Sequence, residues 1–150
     1  ATRFLAHVLP PRSAVWWAWG CAKQAAGEEP PSTVARSLEV TRVWLAEPTD
    51  ARRHAAGDVG RNVEEPDAAA LSAMAAFFSE GDLNPPGGPA GQAPTPPPPG
   101  VAAKLVAGAV SLAALGEDPD SMPDRLDLYL KQGRQVAHKS GLWVDEEASE

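Results

Sequence analysis

Residues able to do covalent or metal chemistry are few in this chain, and they are scattered. His7, His54 and His138 fall in separate segments, and none has a second ligand at a metal-binding spacing. The reading is therefore no metal site. Cys21 is the single cysteine and sits in an apolar stretch, where a thiol is ordinarily inert core and not a nucleophile. Alone, it excludes an intramolecular disulfide and a cysteine-based metal cluster. Glu64-Glu65-Asp67 and Glu117-Asp118-Asp120 read as acidic loops, without the ligand spacing of a calcium-binding loop. No GxSxG elbow and no phosphate-cradling glycine loop occurs. The expectation is a protein that is not an enzyme and uses no cofactor.

Recognition chemistry is better represented. Trp16, Trp17 and Trp19 are three of the five tryptophans and lie within four positions. On a helical projection at about 100° per residue, Ala14, Val15, Ala18, Cys21, Ala22 and Ala25 gather on one side. Arg12, Ser13, Gly20, Lys23 and Gln24 mark the other. Trp17 and Trp19 fall on the two flanks of that polar side, and Trp16 falls in its middle. A buried indole removes about 150–250 Å² from water, so three wet ones would waste much of a net stability of about 5–15 kcal/mol. The leading expectation is that the chain itself covers Trp16, with the 1–9 helix or the proline-rich crossover as the cover. The alternative is a partner-binding anchor formed by Arg12, Trp16, Trp17 and Trp19, since tryptophan and arginine dominate interface energetics.

A second candidate is the basic cluster Arg52, Arg53, His54 and Arg61, the only one in an acidic chain. Arg53, His54 and Arg61 project onto one polar face, and Arg52 toward Ala55, Val59 and Val63. A solvated face with one ion-paired arginine is the plainer reading. A docking patch for an acidic partner is the alternative.

The elements that must position these residues are helices. Pro11, Pro31, Pro48 and Pro66 recur at spacings of 20, 17 and 18, and proline is tolerated in a first helical turn but breaks a helix elsewhere. Helices are expected over 1–9, 12–26, 32–47, 49–63 and 67–80, the fourth weakened by Gly57 and Gly60 at about 1 kcal/mol each. Residues 81–100 hold eight prolines and five glycines and form neither a helix nor an interior strand. The mostly apolar 101–115 helix must pack on the first five, which makes 81–100 an ordered crossover inside one domain. The 124–139 helix carries Leu126, Tyr129, Leu130, Gly133, Val136 and Ala137 on one face. Leu142-Trp143-Val144 is expected to fold back onto the bundle, and 145–150 to be an acidic tail. The fold class is all-α, a compact bundle of about seven helices in a single domain, 1–150.

The net charge of −7, from 13 basic and 20 acidic side chains, argues against nucleic acid and anionic membranes as partners. Both apolar runs, 14–22 and the interrupted 101–115, fall short of the roughly 20 residues of a membrane span. No secretory signal pattern is visible, so the expected location is the cytoplasm. The oligomeric state is not set by these features.

Three segments, RFLAHVLPPRSAVWWAW at 3–19, AFFSEGD at 76–82 and PTPPPPGVAAKLVAGAVSLAA at 94–114, resemble a bacterial domain-of-unknown-function family. Its members share an LPxREAVWWA-like segment, an AxFWSGG-like turn and a proline-rich stretch before an apolar helix. Ser13 stands here in place of the acidic residue, and Phe78-Ser79-Glu80-Gly81 in place of Trp-Ser-Gly-Gly. The resemblance implies a small cytoplasmic protein associated with type VI secretion gene clusters and brings no catalytic residues. The leading functional expectation is thus a non-enzymatic interaction protein, an accessory or adaptor of a type VI secretion system. An immunity protein that blocks a toxin is the runner-up, and an enzyme with a cryptic site is third.

Overall fold

The computed structural model describes residues 1–140, and the expectations for 142–144 and for the acidic tail lie outside the described residues. The described residues form α1 (Thr2–Val8), α2 (Pro11–Ala26), α3 (Ser32–Ala46), α4 (Asp50–Arg61), α5 (Ala68–Phe78), α6 (Val101–Leu115), a 3₁₀ turn (Pro119–Ser121) and α7 (Met122–Lys139). No strand occurs among them. The fold is an all-α bundle.

Local chemistry sets the boundaries. Pro11 occupies the first turn of α2, and Gly27 ends it at φ +75°. Thr49 caps α4 by accepting from the Arg52 N–H at 3.2 Å, and Asp67 caps α5 by accepting from that of Ala70 at 2.8 Å. Asp50 and Arg61 lie at the ends of α4 where the helix dipole favours their charges.

The alanine-rich α5 lies at the centre, packed on α2, α3, α4 and α6, while α6 also packs on α1, α2 and α7. Small residues let these axes approach closely, and the interior is a single hydrophobic cluster drawn from all seven helices. Two buried hydroxyls are satisfied within their own helices, Thr41 donating to Ser37 O and Ser72 to Ala68 O, each at 2.8 Å, whereas the buried Ser37 hydroxyl has no hydrogen-bond partner among the described residues.

Gly57 and Gly60, which count against helix four as propensities, are what brings α4 onto α5. A Cβ at Gly57 would lie 2.5 Å from Phe77 Cγ, and one at Gly60 would lie 2.8 Å from Met74 Cγ. The buried face of α4 is accordingly Arg53, Ala56, Gly57 and Gly60.

The crossover is pinned at its neck. The Asp82 carboxylate accepts from the backbone N–H of Asn84 (3.0 Å) and of Thr95 (2.8 Å), and Leu83 N–H donates to Thr95 O at 2.9 Å. Asn84 adds a hydrogen bond to Ala93 O and accepts another from the Thr95 hydroxyl. Pro97, Pro98 and Pro99 then border a hollow shared with Ala14 and Phe78. They run across the alanine side of α2, not its tryptophan side.

Candidate partner-binding site

The three clustered tryptophans of α2 have different fates, decided by where α7 lands. Ser13 Oγ lies 3.0 Å from Ser140 Oγ, so the start of α2 meets the end of α7. One turn further along α2, Trp17 enters the space left by Gly133, where a Cβ would come within 2.7 Å of the indole. Its Nε1–H donates to Tyr129 O at 2.8 Å, and Trp17 is only 2% exposed. Trp17 is therefore core, which corrects its place among the partner-binding candidates. Burying it depends on a glycine more than a hundred residues away in sequence.

Trp19 is half-buried. Its Nε1–H donates to Leu38 O of α3 at 3.0 Å, and the Lys23 ammonium lies 5.1 Å from its ring. Trp16 remains 45% exposed, with the Lys139 ammonium 5.9 Å from its ring centroid. Neither the 1–9 helix nor the proline-rich crossover lies over it. The expected cover is corrected on both counts: α1 packs chiefly on α6, and the crossover runs across the opposite side of α2.

Between α2 and α7 these residues form a groove of about 200 Å³. Trp16, Trp19, Gly20 and Gln24 contribute from α2, and Gln132, Gln135, Val136 and Lys139 from α7, with Trp17 at the floor. Aromatic faces, amide side chains and the Lys139 ammonium meet here, with no carboxylate among the described lining residues. Such a surface holds apolar and hydrogen-bonding groups. Arg12 sits apart, ion-paired with Glu80 at 3.0 Å.

The basic cluster of α4 does not assemble into a patch. Arg53, expected on the polar face with His54 and Arg61, is 1% exposed. Its Nη1 donates to Phe77 O at 3.0 Å and its Nη2 to Asp82 O at 2.7 Å, tying the end of α5 to the start of the crossover. His54 Nε2 donates to the same Asp82 carbonyl at 3.0 Å. Arg53 is thus structural, and the error has a physical source. The glycine face of α4 is the one that packs, and Arg53 shares it. Gly81, at φ +78°, keeps that backbone clear, since a Cβ there would lie 2.7 Å from Arg53 Nη2. Arg52 binds Val43 O, Glu47 O and the Glu47 carboxylate. Arg61 pairs with Asp58 at 2.8 Å and lies over the Phe77 ring at 4.7 Å.

A larger hollow of about 670 Å³ lies between α3, α4 and the 62–67 turn. Arg36, Asp58, Glu64 and Glu65 at this hollow are all exposed. Cys21 is buried, and loss of solvation pushes its thiol up to about 12. Among the described residues no group of three or more His, Cys, Asp or Glu is placed to hold a metal ion, and no helix is long and apolar enough to cross a membrane.

The model of the Family of unknown function (DUF6931) matches residues 1–137. The chain belongs to that family. The DUF6931 match takes in both walls of the α2/α7 groove, nearly to the end of α7. Comparison with curated proteins and with solved structures brings out no match.

Proposed function

We propose that this DUF6931 protein is a non-enzymatic, cytoplasmic protein-interaction module that binds its partner in the α2/α7 groove. Its setting in this proposal is a bacterial type VI secretion system, in which it serves as an accessory or adaptor component. One observation carries the interaction reading. Trp16, a side chain with a large apolar area, stays 45% exposed at the rim of a groove built from well-anchored neighbours. An exposed indole beside a preformed hollow supplies the rigid anchor that partner interfaces favour. The secretion setting is supported by the sequence resemblance of 3–19, 76–82 and 94–114 described above.

The test is affinity capture from the native bacterium with wild-type and Trp16→Ala baits, quantified by mass spectrometry. A sheath, spike or baseplate component retained by wild type and lost by Trp16→Ala is the expected result. A toxin in that position would replace the adaptor role with an immunity role. A wild-type bait that retains nothing beyond the Trp16→Ala bait overturns the interaction reading.

A further inference from the structure

The walls of the groove carry a charge opposite to that of the chain as a whole. Although the net charge is −7, α2 contains no Asp or Glu and neither does the 128–139 stretch of α7. Two ammonium groups lie over the groove's indoles, Lys139 in its lining over the exposed Trp16 and Lys23 over the half-buried Trp19. Both lysine side chains are exposed, so each keeps its charge available to an incoming group. The guanidinium groups of α4, by contrast, are already engaged by Glu47, Asp58 and the Phe77 and Asp82 carbonyls.

The volume of the groove, about 200 Å³, suits one bulky side chain and not a whole helix face. Gln24, Gln132 and Gln135 line it with amides, each offering both a donor and an acceptor to the backbone of an extended segment. We infer that the partner inserts an acidic segment, presenting one large apolar side chain to Trp16 with carboxylates at Lys23 and Lys139. The inference rests on the reading of this groove as the partner site and adds the chemistry of what enters it. Charge complementarity of this kind steers encounter and selects among partners.

The test is selection of random dodecapeptides displayed on phage against the immobilised full chain, followed by titration of a synthetic consensus peptide. The consensus is expected to hold several Asp or Glu around one Leu, Ile, Phe or Trp. Its affinity should fall about tenfold in the Lys23→Glu/Lys139→Glu double variant and weaken as salt rises, as expected for exposed charges. The Lys23→Arg/Lys139→Arg variant should restore it. Both positions are exposed, and unchanged circular dichroism confirms that the variants fold. Neutral or basic peptides whose binding still depends on Trp16 overturn the acidic inference and leave the interaction reading standing. A dimer in sedimentation that Trp16→Ala dissolves overturns it in favour of a second copy of the chain. Absence of any ligand sensitive to Trp16→Ala overturns both.

Discussion

Gly57→Ala is expected to destabilise the protein, although alanine is the better helix former. The added Cβ would lie 2.5 Å from Phe77 Cγ, 2.6 Å from Cδ2 and 2.9 Å from Cβ. These atoms are close to the backbone of α5, so a rotamer change does not clear them. The Phe77 ring is also held on several sides, 5.0 Å from the Phe78 ring, 5.3 Å from that of His54 and beneath Arg61. Three contacts under 3.0 Å place the cost in the upper part of the usual overpacking range, about 2–3 kcal/mol, and the propensity gain returns about 1, leaving a net loss of about 1–2 kcal/mol. For a chain of this size that lowers Tm by about 2–8 °C. Gly20 is the control, because a Cβ there meets nothing within 4 Å. Gly20→Ala should gain about 0.5–1 kcal/mol. Scanning calorimetry on the wild type and the two variants measures the opposite signs directly. A Gly57→Ala protein as stable as the wild type, or more so, would refute the close approach of α4 to α5.

Three further outcomes follow from the buried and pinned groups. Cys21 should resist a thiol reagent at pH 8 in the native protein and react fully in guanidinium. Its thiol titrates near 12 when folded against an ordinary 9.0, so the native state keeps a proton that the unfolded chain releases, and stability should fall as pH rises above 9. Arg53→Met leaves the Phe77 and Asp82 carbonyls without their guanidinium donor and should lower stability by about 2–3 kcal/mol in urea titration. Asp82 is held below its ordinary 3.8 by the backbone N–H of Asn84 and then of Thr95. Its contribution is present above that value and is lost as pH falls through and below it. Asp82→Ala should therefore speed protease cleavage within 83–95 at neutral pH, and acidification should do the same in the wild type.

Much of the architecture is written in local chemistry. Pro11 and Pro31 mark helix starts because proline tolerates only the first turn, and the apolar stretch Val101–Leu115 has the same limits in sequence and structure. The inward face of α7 is equally plain, since its apolar side chains recur at helical spacing and Tyr129, Leu130, Val136 and Ala137 are all buried. What escapes sequence reasoning depends on neighbours far along the chain. Arg53 looks like a surface cation because hydrophobicity places it outside, yet its acceptors are carbonyls at Phe77 and Asp82, supplied by the end of α5 and the crossover. Trp16 and Trp17 lie one step apart on the same helix, and only the position of Gly133 on α7 decides which of them is buried. A glycine on the inward face of α7, opposite a run of indoles, is the one signal that could have identified Trp17 as the buried member.

The central claim is that Trp16 is open in the free protein and becomes covered by a partner. Limited oxidation by N-bromosuccinimide, read by peptide mapping in a mass spectrometer, tests it most directly. Trp16 should be oxidised well before Trp17 and Trp44, which are 2% and 0% exposed, and bound partner or consensus peptide should protect it. A Trp16 as resistant as Trp17 in the free protein, or one oxidised equally with and without partner, would contradict the account.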